Sequence, residues 1–128
     1  MQREIVITHA PIDEAALSAA RNVSRSSGAV VTFQGIVRDA EGAGKISGIE
    51  YEAFDAMARH QFELILNEVE QRWPIESVRL VHRIGFVAAN IPSLWVEVVA
   101  GHRGEAFAAC QYLIDEMKKR VPIWKHPK

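Results

Sequence analysis

Nine consecutive residues, Ala29-Val30-Val31-Thr32-Phe33-Gln34-Gly35-Ile36-Val37, are almost unbroken in apolar and β-branched side chains. A run with no polar face predicts a strand at the centre of a sheet, covered on both sides. Gly35 within it marks a bulge or a close backbone approach. A strand of this kind needs covering layers, and the remaining sequence offers them as helical patterns between further strands.

Glu4–His9 reads as a first strand, and Pro11 opens a helix with Asp13 and Glu14 in its first turn. Its narrow stripe is Ala16, Leu17, Ala20 and Val23, and Ser24–Gly28 ends it. After Val37, the segment Arg38–Lys45 carries two glycines and four charges, the composition of a flexible exposed loop. Ile46–Phe54 returns as a strand, with Ile49 and Tyr51 facing one way and Glu50 and Glu52 the other. Asp55 is a natural N-cap for a helix whose core face is Ala58, Phe62, Ile65, Leu66 and Val69, stopped by Trp73-Pro74. Ser77–Ile84 alternates as a half-buried strand. Gly85 starts a connection through Phe86–Ala89 to a turn at Asn90–Ser93, and Leu94–Ala100 is another strand. The last helix runs over Glu105–Arg120, followed by a short extended piece. The order β-α-β-β-α-β-β-α pairs strands between helices, so the expected class is α+β, with an antiparallel or mixed sheet and packed helices. A length of 128 residues fits one domain spanning 1–128.

The formal net charge is −1, which argues against broad attraction to nucleic acid or an anionic membrane. Any anion site must therefore be a local cluster of basic groups. The single cysteine, Cys110, excludes an internal disulfide and a cysteine-rich metal site, and fits a reducing compartment. The N-terminus has no signal-peptide apolar region and no run approaches a membrane span, so a cytoplasmic location is expected.

At about 100° per residue the last helix puts Ala106, Phe107, Cys110, Leu113, Ile114 and Met117 on one arc. Lys118 falls at the edge of that arc and Lys119 round the back, so two adjacent lysines are not equivalent. Partial desolvation at the edge would favour Lys118 as a proton donor or nucleophile. The competing reading is a basic helix C-terminus, which the helix dipole prefers. Lys125 follows the break Pro122-Ile123-Trp124, whose rigid turn and two large apolar residues suggest a docked segment, against the alternative of a solvated tail.

Gly101-His102-Arg103-Gly104 lies between a strand and a helix start, either an ordinary turn or an anion site built on free backbone N–H groups. Arg38 ends the long apolar strand at the mouth of the glycine-bearing loop and is either a surface arginine or an anion clamp. His82 falls on the apolar side of its strand and reads as a satisfied core histidine; His9, His60 and His126 are isolated, and no pair has metal-ligand spacing. No phosphate-binding loop, nucleophile elbow or dinucleotide fingerprint occurs. Tyr51 and Glu52 could line a pocket, which their spacing leaves undecided. Arg38, His102, Arg103, Lys118 and Lys125 thus all sit at element ends, a pattern that points to a small anionic ligand.

The stretches Gly28–Asp39, Tyr51-Glu52-Ala53, Val81–Gly85, His102–Phe107 and Lys118 through Lys125 together resemble the MoaE family, the large catalytic subunit of molybdopterin synthase. They occur in the family's order and spacing over about residues 28 to 125. The resemblance implies a MoaE-like α/β hammerhead fold and a sulfurtransferase of molybdenum cofactor biosynthesis. It implies conversion of cyclic pyranopterin monophosphate (precursor Z) to molybdopterin, without a metal or cofactor of its own. The two sulfurs arrive as a thiocarboxylate on the Gly-Gly C-terminus of a small ubiquitin-like, MoaD-type partner. The implied assembly is a central homodimer with a small subunit at each end, a heterotetramer. By position, Lys118 and Lys125 match the family's catalytic lysines. Arg38, His102 and Arg103 match positions that bind the substrate's phosphate and pterin, and Phe33 matches a pocket residue beside the partner's tail. The match departs after Lys125, where many members continue with a further tryptophan-containing segment and a basic residue; here His126-Pro127-Lys128 follows. The alternative reading is a non-catalytic dimeric module that binds an anionic metabolite.

Overall fold

The structure, a computed structural model, describes residues 1–42 and 44–128. In chain order its elements are β1 (Gln2–Thr8), α1 (Glu14–Ala19), β2 (Ala29–Ile36), β3 (Ala40–Glu41), β4 (Gly44–Lys45), β5 (Gly48–Ala53), α2 (Asp55–Arg72), β6 (Ile75–Arg83), β7 (Gly85–Ala88), β8 (Pro92–Ala100), α3 (Arg103–Arg120) and β9 (Ile123–Pro127). The class is α+β, as expected. A four-stranded sheet has the order β1-β6-β8-β2, and a three-stranded sheet the order β7-β5-β9. Only the β1–β6 pair is parallel in these two sheets; all other pairs are antiparallel.

Helices α2 and α3 cover one face of the larger sheet. Phe62, Ile65, Leu66 and Val69 of α2 meet Leu113, Ile114 and Met117 of α3 and Val78, Leu80, Val96 and Val98 of the sheet in one core. A second, smaller core of Val37, Ile49, Tyr51 and Val87 belongs to the three-stranded sheet. Ile123 of β9 packs against both cores and ties them together.

On the opposite face of the larger sheet the carboxylate of Glu97, only 2% exposed, accepts bonds from Arg21 Nε (2.6 Å) and from Arg79 Nε and a terminal nitrogen (both 2.8 Å). A buried acid is tolerable only when paired in this way. Helix α1 ends at Ala19 and does not run on to Ser24; Arg21, just beyond it, is the residue bonded to Glu97. Its expected stripe buries nothing: Val23 is 61% exposed, and alanines offer little area to bury.

The apolar run Ala29–Ile36 is an edge strand and not the expected centre of the sheet, because β2 pairs with β8 alone. None of its residues is fully buried, and Val30, Phe33 and Ile36 remain exposed. Ala29 and Val31 pack against the core, whereas these three side chains are left uncovered by this chain. The segment expected as an open loop folds into the short β3–β4 hairpin; Ala43, within that expected loop, lies outside the described residues. The expected connection Phe86–Ala89 is mostly strand β7, which starts at Gly85 with a φ of +84°, a conformation that favours glycine. Asp55 is the first residue of α2 and pairs with Arg59 (2.8 Å), while Phe54 takes the cap position without a side-chain bond. Phe107, on the rim of the α3 arc, is 61% exposed where the rest of that arc is covered.

Candidate functional site

The two sheets meet along a seam that α3 and β9 close at one end. Helix α3 stops because Pro122 has no N–H to continue it and forces the preceding residue out of helical geometry: Val121 has φ −85° and ψ 125°. The reversal is held by Val121 N–H donating to Met117 O (3.0 Å) and Phe54 N–H donating to Pro122 O (3.3 Å). The chain then pairs antiparallel with β5, putting Ile123 opposite Ala53 and Lys125 opposite Tyr51. The segment after the proline is therefore docked, as its apolar content suggested.

This seam holds a cavity of 610 Å³. Lys118 from the last turn of α3, Lys125 from β9 and Arg38 from just beyond β2 all line it, with Phe33 among the residues of its β2 wall. Among the described residues, no carboxylate lines it. The cations next along the chain are neutralised elsewhere: Lys119 pairs with Glu116 (3.2 Å) and Arg120 with Glu68 (2.8 Å). Among the described residues Arg38, Lys118 and Lys125 take part in no ion pair. Three unneutralised cations around one concave surface attract and hold an anion. Lys118 stays exposed, so the desolvation expected of it is not supplied by this chain alone.

Three buried polar residues also line the cavity. His82 is 5% exposed, Ser93 6% and Tyr51 6%. His82 Nδ1 lies 2.8 Å from Arg83 O, so Nδ1 carries the proton. Burial pulls the imidazole below its usual pKa of 6.5, and the nearby Lys125 charge acts in the same direction. The Tyr51 ring meets His82 edge to face at 5.2 Å. Ser93 Oγ donates to the Tyr51 hydroxyl at 3.0 Å, and burial raises that phenol above its usual 10. His82 is thus the buried core histidine expected from its strand position, and also a cavity residue. Ser93 was not legible as such; its one signal is a polar side chain in β8, whose other charged or hydroxyl-bearing residue, Glu97, is likewise buried.

His102 and Arg103 lie elsewhere. They stand at the N-terminal end of α3, with Lys118 at the other end, roughly 24 Å away along the helix axis at 1.5 Å per residue. His102 caps the helix through its backbone without a side-chain bond, and its Nδ1 is 3.4 Å from Glu105 Oε2. The turn before it is tight: a Cβ at Gly28 would meet Gly101 O. The five candidate basic residues therefore divide into three at the cavity and two at the far end of the helix.

Cys110 lies in the core, where burial pushes its thiol up to about 11 and makes it a poor nucleophile. Among the described residues no three His, Cys, Asp or Glu side chains gather as a metal-ligand set, and no helix is long and apolar enough to cross a membrane.

Fold and site together define a small α+β protein with a cation-lined pocket at the seam of two sheets. Residues 7–120 match the model of the family described as MoaE protein, and the chain belongs to that family. The molybdopterin synthase catalytic subunit of Pyrococcus abyssi is 45% identical over 102 residues, covering 80% of this chain and 69% of that protein. A crystal structure of molybdopterin synthase from Staphylococcus aureus superposes with a TM-score of 0.86 at 34% identity, covering 98% of this chain and 89% of the other. A structure of subunits 1 and 2 of molybdopterin-converting factor in complex, from Helicobacter pylori, shares the fold at a TM-score of 0.75 and 21% identity, covering 98% and 83%.

Proposed function

We propose that this chain is the catalytic subunit of a molybdopterin synthase acting in the cytoplasm. It converts precursor Z to molybdopterin with sulfur from the C-terminal thiocarboxylate of a small ubiquitin-like partner. The observation that carries this reading is the seam cavity, where, among the described residues, Arg38, Lys118 and Lys125 stand unneutralised and no acid lines the wall. A cyclic phosphate ester needs such a pocket, and so does the negative charge that develops as sulfur is transferred.

In each transfer the thiocarboxylate sulfur attacks a carbon of the substrate, and an oxygen leaves that carbon. Lys118 donates a proton to the departing oxygen, while Lys125 and Arg38 stabilise the charge that builds up. Water then cleaves the acyl–sulfur bond, leaving sulfur on the substrate and an ordinary carboxylate on the partner. Phe33 stands beside the partner's tail, and two terminal glycines suit a narrow entry because they carry no side chains.

His102 and Arg103 bind substrate only if a second copy of the chain brings its α3 N-terminus to the cavity, since within one chain they lie a helix length away. The β2 edge, which no other strand among the described residues covers, leaves Val30 exposed away from the cavity as apolar area for chain-to-chain contact. The working assembly is accordingly a homodimer with one small subunit per protomer, a heterotetramer.

The test is reconstitution with a thiocarboxylated small subunit and precursor Z. Molybdopterin should form with the intact chain and fail to form with Lys118→Ala. Tight binding of precursor Z by the intact chain without any turnover would identify it instead as a binding module.

A further inference from the structure

We infer that Tyr51 is a substrate-contacting, specificity-determining residue, whose phenol donates a hydrogen bond to an uncharged acceptor on the organic part of the anion held in the seam cavity. This rests on the function proposed above and names a group that reads something other than charge. The cations of the cavity respond to a phosphate whatever it is attached to. A neutral donor in a buried wall discriminates among phosphate esters, because a ligand without an acceptor there leaves a polar group unpaired.

A phenol both accepts and donates. Ser93 Oγ has one proton and donates it to the Tyr51 hydroxyl at 3.0 Å, since Gly35 O lies farther off at 3.5 Å; it is the only protein partner of the Tyr51 oxygen among the described residues. The hydroxyl's accepting side is therefore used and its own proton is not. Tyr51 lines the cavity while only 6% of the residue is exposed, so that proton is available to the cavity's occupant more than to bulk water. Burial also keeps the phenol protonated, and hence a donor, at neutral pH.

The group is rigidly placed. Its strand, β5, is the middle strand of its sheet, paired with β7 at Tyr51↔Gly85 and with β9 at Tyr51↔Lys125. The ring is fixed edge to face against His82 at an interplanar angle of 73°. A donor held by backbone pairing on both sides and by ring packing loses little freedom when a ligand arrives. The acceptor it suits is a heterocycle's carbonyl oxygen or ring nitrogen, neutral and planar.

Steady-state kinetics of the assembled complex, with thiocarboxylated small subunit, tests this with Tyr51→Phe and Ser93→Ala. Tyr51→Phe should raise KM for the substrate roughly three- to tenfold, the worth of one neutral hydrogen bond, with a smaller change in kcat. Competitive inhibition by inorganic phosphate, which presents charge and no heterocycle, should stay within about twofold of wild type, because the cations are untouched. Ser93→Ala breaks the same bond but leaves the phenol in place, so its KM effect should be the smaller of the two. An unchanged KM in Tyr51→Phe overturns the inference, as do equal effects of both variants, which would mark the pair as purely structural. A wild-type complex that makes no product would instead overturn the function on which the inference rests.

Discussion

Lys125 sits directly opposite Tyr51 in the antiparallel pairing of β9 with β5. That single register position connects the C-terminal segment to the cavity. Side chains alternate along a strand, so Ile123 and Lys125 face the seam, while Trp124 points the other way and meets Phe54 edge to face at 5.3 Å. A slip of one residue would carry Lys125 to the outer face and bring Trp124 inward. The position of this lysine is thus set by Pro122, which ends the helix, and by Ile123, which anchors the strand to both cores.

Ile123→Ala should consequently affect catalysis more than stability. The side chain is only partly buried, so its loss should cost about 1–2 kcal/mol, below the figure for a fully buried isoleucine. Loosening β9 displaces Lys125, and product formation should fall roughly 10- to 100-fold, as misplaced catalytic groups generally cause. Denaturant unfolding and molybdopterin formation measured on one preparation check both halves. A loss of activity no larger than the loss of folded protein would mean that β9 does not position Lys125.

Neighbouring lysines on α3 should behave differently. Lys118 faces the cavity without an ion-pair partner, whereas Lys119 is bound to Glu116 at 3.2 Å. Lys118→Ala should reduce kcat about 100-fold or more, the usual scale for loss of a proton donor. Lys119→Ala should stay within about twofold, and both variants should keep their stability within about 0.5 kcal/mol because both side chains are exposed. Equal losses in the two variants would point to a general charge effect of the helix end and not to a specific role for Lys118.

Acid sensitivity of the fold should pass partly through Glu68. Its carboxylate accepts two bonds from Arg120 (2.8 and 2.9 Å) and one from Tyr112, pinning α2 to α3. The Arg120 bonds, then that from Tyr112, hold its pKa down at about 2, against 4.5 when unpaired. A group depressed on folding contributes its stability above its unfolded pKa and loses it as pH falls through the folded value. The contribution of Glu68 should therefore be complete above about pH 4.5 and disappear toward pH 2. Glu68→Gln should cost about 1 kcal/mol at pH 7, a modest figure because the pair is partly exposed. Between pH 4.5 and 2 the stability curves of variant and wild type should converge. Parallel curves across that window would show that the Arg120 pair does not depress Glu68.

The parts of the fold that were legible in the sequence are those where one face decides the outcome. Ala58, Phe62, Ile65, Leu66 and Val69 at helical spacing are all buried on α2, and Ile49 and Tyr51 alternate inward on β5 as their spacing requires. The helix geometry that separated Lys118 from Lys119 also agrees with where the two side chains go. The position of β2 was not legible, because an apolar run states only that its surface is to be covered and not which chain covers it. The Arg21–Glu97 bond just beyond α1 was hidden for a related reason: it joins residues 76 positions apart, and no local pattern announces it. Ser93 and Tyr51 are brought together across 42 positions by two different sheets. Both the residue reading and the family resemblance grouped His102 and Arg103 with the lysines, but position at an element's end and a linear match carry no distance, and the structure separates them by the length of α3.

That separation gives a prediction about assembly. If His102 and Arg103 serve the cavity of a second copy, then Arg103→Ala and Lys118→Ala damage different halves of the same composite site. Each variant alone should be nearly inactive. Mixed after dissociation and reassociation, they form heterodimers in which one site carries both lesions and the other carries neither. Random pairing in a symmetric dimer makes half of the dimers mixed, so about a quarter of the wild-type activity per site should return. The restored activity should grow with the time allowed for subunit exchange and be absent when the dimers are kept from exchanging. Failure to recover any activity from fully exchanged dimers would show that Arg103 acts on its own chain or not at all, and the role proposed for the α3 N-terminus would have to be abandoned.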